Sequence, residues 1–339
     1  MRRLRTAIIG AEIMGRAHAS VIADYYRSEL VAVCSRQRTA AAALAQKYAV
    51  PHVFTDYRDL LRLPELEAVI IATPDFAHHA LAVAAAHAGK HILIEKPLAT
   101  DLAQADQIVA EVRRAGVTGM TLFNHRWVPA YYQAKQRLAS GELGRPLMAY
   151  ARKNDVISVP TEMISWAAQT TCAWFLSSHD IDLICWYFND QALEVRASGV
   201  RQVLVKRGID TYDAIQALVQ FKSGASAVFE SGWIYPNTFP TMVDSWVAIT
   251  CEQGVIQLDR QQEQLQIAGP QRFDYPRNLL LMEMTGHPQG SVRQAISHWV
   301  DCALDQQPPM ISLEQSRQVT AILDAIHRSL AADQSVRVN

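Results

Sequence analysis

The sequence has almost no charge imbalance and no apolar run long enough to cross a membrane. Acidic and basic residues number 33 and 32. No stretch of the sequence combines clustered basic residues with aromatic residues, which is the pattern that binds the phosphate backbone of nucleic acids. The longest apolar region, around residues 68–94, contains Asp75, Lys90 and four histidines, so it cannot span a bilayer. These absences exclude nucleic acid and membrane as expected partners.

Cysteine is scarce and shows no informative spacing. The chain has five cysteines, an odd number, and no Cys-X-X-Cys pair or histidine-rich partner motif. They are Cys34, Cys172, Cys185, Cys251 and Cys302. This pattern argues against a disulfide framework and a zinc site, and it indicates buried thiols in a reducing compartment. We therefore expect a cytoplasmic protein without a bound metal.

Length and element pattern predict two α/β domains. At 339 residues the chain exceeds what one hydrophobic core usually organises. Up to Asn124, short β-branched runs alternate with helical stretches, which indicates βαβ units and a doubly wound parallel sheet. After Pro146, longer strand-like runs predict a large, open, mostly antiparallel sheet. We assign residues 1–124 to the first domain and 125–339 to the second, with the last helix able to pack back on the first.

Turn signals and hydrophobic periodicity predict individual elements. In the first domain the strands are Thr6–Gly10, Leu30–Ser35, His52–Thr55, Ala68–Thr73, His91–Glu95 and Met120–Asn124. In the second domain the strands are Leu193–Val205, Thr211–Phe221, Ala225–Ile234 and Ser245–Cys251, and the final helices are Gln289–Leu304 and Leu313–Ala332. Asp101, with Gln104 three residues later, predicts the start of a helix that Gly116 ends, because aspartate caps free N–H groups and glycine tolerates the left-handed conformation.

The first strand runs into residues 10–15, which read Gly-Ala-Glu-Ile-Met-Gly. They stand where a GxGxxG turn cradles a pyrophosphate on a helix N-terminus, so we expect a dinucleotide to contact Gly10, Ile13, Met14 and Gly15. Glu12 replaces the second glycine. Its carboxylate would repel a phosphate by roughly 3 kcal/mol at ~5 Å and an effective dielectric of ~20, unless it swings away or is neutralised. A strand–helix turn without a ligand is the alternative.

The end of the second strand carries Ser35 and Arg36, with Arg38 close by, where NAD-specific domains place an acidic residue. A hydroxyl and a guanidinium bind a ribose 2′-phosphate, whereas no carboxylate is present to hold a free 2′-hydroxyl. We expect the cofactor to be NADP or NAD, with the balance toward NADP. Arginines that merely solvate a loop are the alternative.

A series of short motifs extends along nearly the whole chain. They are Ala72-Thr73-Pro74 with His78, Ala88-Gly89-Lys90-His91, Glu95-Lys96-Pro97, Asn124-His125-Arg126 with Pro129, Gly141-Glu142-Leu143-Gly144-Arg145-Pro146, His179-Asp180-Ile181-Asp182, and Phe221-Lys222-Ser223-Gly224 leading to Trp233. Each block alone is weak. In this order and spacing, the sequence resembles the Gfo/Idh/MocA family, named for glucose–fructose oxidoreductase and inositol dehydrogenase.

The resemblance implies that residues 1–124 form a Rossmann dinucleotide-binding domain and that residues 125–339 bind substrate and form homodimers or homotetramers. It implies that Lys96 lies beside the nicotinamide ring, that the Lys96–Pro97 bond is cis, and that His179 is the active-site histidine. The family's cofactor contacts map onto Gly10, Gly15, Ser35, Arg36, Thr73, Pro74, His78, Glu95, Lys96 and Arg126.

Lys96 and His179 supply the two groups that alcohol oxidation requires. Removing a hydride from a secondary alcohol needs a base for the hydroxyl proton and a cation to steady the alkoxide. With His179 as base and Lys96 as stabiliser and proton relay, the resemblance implies an NAD(P)-dependent oxidoreductase acting on a secondary hydroxyl or carbonyl of a sugar, sugar derivative or cyclitol. Asp180 or Asp182 either orients the imidazole or caps the helix.

Phe175 departs from the family pattern. Inositol dehydrogenase-like members carry an aspartate at that position, four residues before the histidine. An apolar surface there cannot accept a hydrogen bond from a hydroxyl, so we expect a bare cyclitol to be a poor substrate. Side chains of the kind that line sugar sites are Arg152, Asn154, Trp166, Trp174 and Tyr235. Two alternatives stay open: a redox-cycling glycosidase that regenerates its cofactor each turnover, and a non-catalytic sugar- or nucleotide-sensing regulator.

Overall fold

The computed structural model describes residues 2–339, which divide into two compact units. Unit 1 comprises the described residues up to Trp127 together with Leu280–Arg317. Unit 2 comprises Val128–Leu279 and Gln318–Asn339. Residues 280–317, which the sequence interpretation placed in the second domain, therefore belong to the first unit.

Unit 1 contains a parallel sheet of six strands. The strands are β1 (Leu4–Ile9), β2 (Ser28–Cys34), β3 (His52–Phe54), β4 (Ala68–Ile71), β5 (His91–Ile94) and β6 (Gly119–Thr121). The connecting helices are α1 (Ile13–Asp24), α2 (Arg38–Lys47), α3 (Tyr57–Leu61), α4 (His78–His87) and α5 (Leu102–Ala115). The strand order β3-β2-β1-β4-β5-β6 confirms the predicted doubly wound sheet. The order reverses between β1 and β4, and ligands of such sheets bind beyond the carboxyl ends of the strands at this point.

Helix α5 begins and ends where the sequence indicates. The Asp101 carboxylate accepts a hydrogen bond from the Gln104 N–H at 3.0 Å, and Gly116 follows in the left-handed conformation with φ of 65°. Ile108 and Val112 are buried on the inner face of the helix and join the core that also contains β4 and β5. The predicted capped helix is confirmed.

Unit 2 contains a sheet of seven strands. Its larger elements are α6 (Pro129–Ala139), β7 (Pro146–Val156), α7 (Ser178–Phe188), β8 (Ala192–Val200), β9 (Ala214–Phe221), β10 (Ser226–Tyr235), β11 (Val243–Cys251) and β12 (Val255–Asp259). β13 (Ile267–Ala268) and β14 (Phe273–Asp274) follow in unit 2. The next elements, β15 (Met282–Met284), β16 (His287–Gln289) and α8 (Ser291–Asp305), belong to unit 1. Helix α9 (Leu313–Ala332) begins in unit 1 and continues into unit 2, where β17 (Val336–Arg337) follows it. The order is β12-β11-β7-β10-β9-β8-β17. β7 and β10 run parallel and the other neighbours antiparallel, which confirms the predicted sheet.

Helix α8 joins unit 1 through its apolar face. Ile296 and Trp299 are fully buried, and the helix packs against α1 and the turn at Asn124–Trp127. At its start, the Asn124 side-chain amide donates to the Ser291 hydroxyl at 2.9 Å. These contacts explain why residues 280–317 belong to unit 1, because the apolar stripe of α8 is covered there.

Side chains alternate between the two faces of the unit 2 sheet. Along β9 every second residue from Ile215 to Phe221 is buried, and α7 packs against β7 and β10 on that side. We call the other side the open face. It carries Tyr150, Arg152, Gln216, Leu218 and Glu230, which are cross-strand neighbours.

The predicted strand Leu193–Val205 extends too far, since β8 ends at Val200. The buried Asp213 carboxylate accepts hydrogen bonds from the backbone N–H groups of residues 202–204 at 2.6, 2.7 and 2.8 Å. Backbone groups that bond a side chain are not available to a neighbouring strand. The chain therefore leaves the sheet after Val200, and the predicted end was wrong.

Candidate functional site

Two glycines bring α1 close to the carboxyl edge of the unit 1 sheet. Gly10 follows β1 with φ of 107°, and a Cβ there would lie 2.2 Å from the Ala72 carbonyl oxygen. A Cβ on Gly15 would lie 1.8 Å from the Gly10 carbonyl oxygen. No larger residue fits at either position without backbone movement. The turn therefore presents the first N–H groups of α1, which have no partner within a helix, at the switch point of the sheet.

Glu12 occupies the N-cap position of α1, but its side chain accepts no capping hydrogen bond. The carboxylate is 60% exposed and lies 3.8 Å from the Arg16 guanidinium. Arg16 also donates to the Ala11 carbonyl oxygen at 3.2 Å. The carboxylate is therefore directed to a cation instead of the first-turn N–H groups, and these remain available to a phosphate.

Ser35 and Arg36 follow β2 directly beside the glycine turn. The Gly10 N–H donates to the Cys34 carbonyl oxygen at 2.9 Å, so the two segments leave the sheet together. The Ser35 hydroxyl accepts from the Gln37 N–H at 3.2 Å. Arg36 and Arg38 are exposed, and across residues 2–339 neither forms an ion pair. Two guanidinium groups are thus available for an anion at this edge.

The turn after β4 leaves a polar atom without a partner. Thr73 Oγ1 is buried and forms no hydrogen bond to any residue in the described range 2–339, while Pro74 leads into the short helix Asp75–Ala77. Buried hydroxyl groups are normally hydrogen-bonded. An orphaned hydroxyl next to the glycine turn fits a polar ligand such as a dinucleotide.

His78 connects this turn to the next one. It is fully buried, and its two ring nitrogens lie 2.7 Å from the Pro97 carbonyl oxygen and 3.1 Å from the Thr73 carbonyl oxygen. Its observed contacts hold two loops together and do not extend to an open surface.

Glu95 directly follows β5 and supports the lysine that comes after it. Its carboxylate accepts from the Lys96 N–H at 3.1 Å and lies 2.7 Å from Nε2 of the fully buried His18. Burial acts to raise the pKa of Glu95, but the hydrogen bond from His18 and the charges of His18 and Lys96 hold it below its ordinary value. The carboxylate is therefore ionised and fixed under the turn.

His18 was missed by the sequence interpretation. It lies on α1 among the buried residues Gly15, Ala19 and Ile22, on a helix face that is otherwise apolar or small. A polar side chain on a buried face requires a partner, and this was the available signal. The sequence could not show that the partner is Glu95, which is 77 residues away.

Lys96 is half-buried and its bond to Pro97 is cis, as the resemblance implied. Arg126 is 1% exposed, and its guanidinium donates to the Gln315 side chain at 3.1 Å and the Met310 carbonyl oxygen at 3.3 Å. These contacts of Arg126 anchor the start of α9.

His179 is the second residue of α7 and is half-buried. The preceding segment, Ala173–Ser177, forms a π-helical turn, a feature often found at functional sites. Phe175 packs in this turn against Trp166 and Trp233, with ring centroids 6.0 Å apart in both pairs. An aromatic cluster therefore precedes His179 in unit 2.

Asp180 and Asp182 differ in their surroundings. Asp180 is 1% exposed, and its Oδ1 accepts from the Lys153 ammonium at 2.8 Å. Asp182 is fully buried. The observed contact of Asp180 is thus with a lysine of β7.

Three of the five residues proposed for a sugar site come together, but they do so on the open face of the unit 2 sheet. The intervening Lys153 points to the other face, where it contacts α7, so this cluster lies on the opposite side of the sheet from the helix that carries His179. The Asn154 side-chain amide donates to the Tyr235 hydroxyl at 3.1 Å, and Arg152 donates to Asp244 at 2.5 Å. A pocket of about 470 Å³ is lined by Arg152, Tyr235, Pro236, Phe239, Asp244 and Gln261. Trp166 instead joins the cluster of Phe175, and Trp174 stacks on His327 with centroids 5.1 Å apart.

Within the described part of the chain, residues 2–339, no helix has the length and apolar character needed to cross a membrane. Over the same residues no group of three or more histidine, cysteine, aspartate or glutamate side chains is arranged to hold a metal ion.

Two family models match this chain. The first, described as "Oxidoreductase family, NAD-binding Rossmann fold", matches residues 4–123. The second, described as "GFO/IDH/MocA C-terminal domain", matches residues 131–257. The chain belongs to the Gfo/Idh/MocA family. The predicted family and the predicted α/β fold are confirmed. The prediction that this protein is an oxidoreductase with a nicotinamide cofactor is confirmed as well.

Members of this family with similar sequences include named cyclitol dehydrogenases. Inositol 2-dehydrogenase of Salmonella typhimurium is 32% identical over 202 residues, which cover 59% of this chain and 59% of that protein. Myo-inositol 2-dehydrogenase of Thermotoga maritima is 24% identical, with 99% of this chain and 98% of that protein covered. The fold is shared with scyllo-inositol dehydrogenase of Lactobacillus casei, solved with NAD(H) and scyllo-inositol, at a TM-score of 0.85, 20% identity and 99% coverage of both chains.

Proposed function

We propose that this protein transfers hydride between NAD or NADP and a secondary hydroxyl or carbonyl of a sugar, sugar derivative or cyclitol. The observation that carries the proposal is the setting of Lys96. It follows β5 at the carboxyl edge of the parallel sheet, and its turn is supported by Glu95 through a backbone hydrogen bond and by His78 through the Pro97 carbonyl. A lysine on so constrained a turn is positioned for a reacting group.

The residues of unit 1 fit a dinucleotide, and we assign them three tasks. The phosphates are assigned to Gly10, Ile13, Met14 and Gly15. The adenosine ribose is assigned to Ser35 and Arg36. The nicotinamide end is assigned to Thr73, Pro74 and Lys96. His78, Glu95 and Arg126 act through the loops that they hold. When bound, the nicotinamide accepts or returns the hydride.

His179 and Lys96 handle the proton in this proposal. During oxidation, the His179 imidazole takes the hydroxyl proton as general base, and the Lys96 ammonium stabilises the alkoxide and relays the proton. During reduction the same groups act in reverse. The aromatic cluster at Phe175 gives the substrate an apolar neighbour in place of a hydrogen-bond acceptor.

Replacing Arg36 with alanine should weaken binding of NADP(H) by ~1–3 kcal/mol and leave NAD(H) nearly unchanged, because one charge-assisted contact with the 2′-phosphate is lost. Calorimetric titration of both nucleotides into the wild type and the variant measures this difference. Arg58→Ala is the matched control, since Arg58 lies 3.6 Å from Asp56 and is already paired. An equal loss for both nucleotides, or a wild type that does not bind NADP, would contradict the assignment.

A panel of sugars, sugar derivatives and cyclitols, assayed with both cofactors, tests the activity itself. We expect stoichiometric formation of reduced nicotinamide from at least one secondary alcohol. Free myo-inositol should be a poor substrate, because Phe175 cannot accept a hydroxyl hydrogen bond, and Phe175→Asp should improve it. Brisk oxidation of myo-inositol by the wild type would show that Phe175 does not shape the site. Cleavage of an aryl glycoside without accumulated reduced cofactor would instead indicate a redox-cycling glycosidase.

The open face of the unit 2 sheet supports the proposal of a homodimer or homotetramer. Met148 and Leu218 on this face are 57% and 41% exposed, and apolar side chains on an exposed sheet are commonly covered by a partner. Light scattering on the purified protein tests this assembly.

The five cysteines are free thiols, which supports a cytoplasmic location.

A further inference from the structure

A buried ion pair links the helix that carries His179 to the unit 2 sheet. Lys153 on β7 and Asp180 on α7 are 2% and 1% exposed. The Lys153 ammonium donates to Asp180 Oδ1 at 2.8 Å and to the Ser245 hydroxyl on β11 at 2.9 Å. A single side chain therefore ties α7 to two neighbouring strands, and the residue it holds comes directly after His179.

This pair is costly to bury. Desolvation lowers the pKa of Lys153 to about 8 even though the Asp180 carboxylate opposes the shift. Burial also raises the pKa of Asp180, against the effect of the Lys153 charge. Apolar side chains of similar size often replace such a pair without loss of stability. Stability alone is therefore a poor explanation for a lysine and an aspartate at these positions.

α7 begins without a cap of its own, because the chain is already helical before it. Ser177 occupies the N-cap position with helical backbone angles, and its side chain makes no capping hydrogen bond. The preceding residues form the π-helical turn Ala173–Ser177 instead of an extended entry. The Trp174 N–H at the start of that turn donates to the Thr171 hydroxyl at 3.4 Å, so the capping contact lies one turn before α7. The Lys153–Asp180 pair instead holds the first turn of α7 itself against the sheet.

We propose that Lys153 is a positioning residue for His179. Successive side chains on a helix point about 100° apart, so fixing Asp180 against β7 and β11 fixes the rotation of the first turn and the direction of the His179 side chain. A proton-transfer group must be held within a few tenths of an ångström to be effective. The inference rests on the proposed role of His179.

The test replaces the pair by apolar residues, Lys153→Met together with Asp180→Leu, in the wild type and in a His179→Ala background. We expect an unchanged or higher melting temperature, a ~10-fold fall in kcat with KM within ~2-fold in the wild-type background, and no further fall in residual turnover in the His179→Ala background. Lys135→Met is the matched control, since Lys135 contacts the other end of α7 at the Trp186 carbonyl oxygen. It should keep kcat within ~2-fold of the wild type.

A second variant, Asp180→Asn, keeps the side-chain shape and an oxygen that accepts from Lys153 but removes one charge, and it should show the same dependence on background. Equal fractional losses in both backgrounds, or a folded pair variant with wild-type kcat, would overturn the proposal. If neither variant folds, the ion pair is required for folding, and the proposal that it positions His179 is overturned as well. Full activity of His179→Ala alone would instead remove His179 from the mechanism, so the two failures are distinguishable.

Discussion

Replacing either His179 or Lys96 with alanine should lower kcat by ~10²–10⁴ and leave nucleotide affinity close to that of the wild type. The reason is that both groups are assigned to the reacting alcohol, one as base and one as cation, so their loss removes interactions made in the transition state. Steady-state kinetics on the best substrate of the panel, with nucleotide titration of each variant, separates the two effects.

Two surface substitutions control for the loss of a histidine or a lysine as such. His79→Ala removes a half-buried histidine that contacts Gln107 at 2.8 Å on α5, and Lys47→Ala removes an exposed lysine at the end of α2. Both should retain kcat within ~2-fold, because surface changes outside a site are usually small. Wild-type turnover in the His179 or Lys96 variant would remove that residue from the mechanism. A large loss of nucleotide affinity would assign it to binding.

Replacing Gly10 with alanine should abolish measurable nucleotide binding and destabilise the protein by ~3 kcal/mol or more. The added Cβ would lie 2.2 Å from the Ala72 carbonyl oxygen, at a φ of 107° that alanine rarely adopts. The turn must move to relieve this overlap, and α1 then leaves the carboxyl edge of the sheet. Denaturant unfolding and nucleotide titration measure the two consequences.

Gly89→Ala is the matched control for backbone strain without overlap. Gly89 also has a positive φ, 67°, but a Cβ there meets no atom within 4 Å. The expected cost is ~1 kcal/mol, from the conformation alone, with nucleotide affinity unchanged. If Gly10→Ala behaves like Gly89→Ala, the close approach of the glycine turn to Ala72 is not required for binding.

Elements with local signals were predicted well, and those set by distant partners were not. The cap at Asp101 and the stop at Gly116 act over a few residues, so α5 could be assigned from sequence. The end of β8 was misplaced because Asp213, several residues beyond it, takes three backbone N–H groups out of the sheet. Whether α8 belongs to unit 1 or to unit 2 could not be predicted, because that depends on which neighbouring elements bury its apolar face.

For the candidate site, the sequence alone predicted the glycine turn, the pair Ser35 and Arg36 directly after β2, and the motif around Lys96, because each is a contiguous run with its own chemical meaning. Tertiary structure decided what surrounds them. The partner of Glu95 is His18, 77 residues earlier, and that of Asp180 is Lys153, 27 residues earlier. Such pairs form only when folding removes water and leaves each buried polar group to bond whichever partner the packing provides, and no local pattern in the chain specifies that partner.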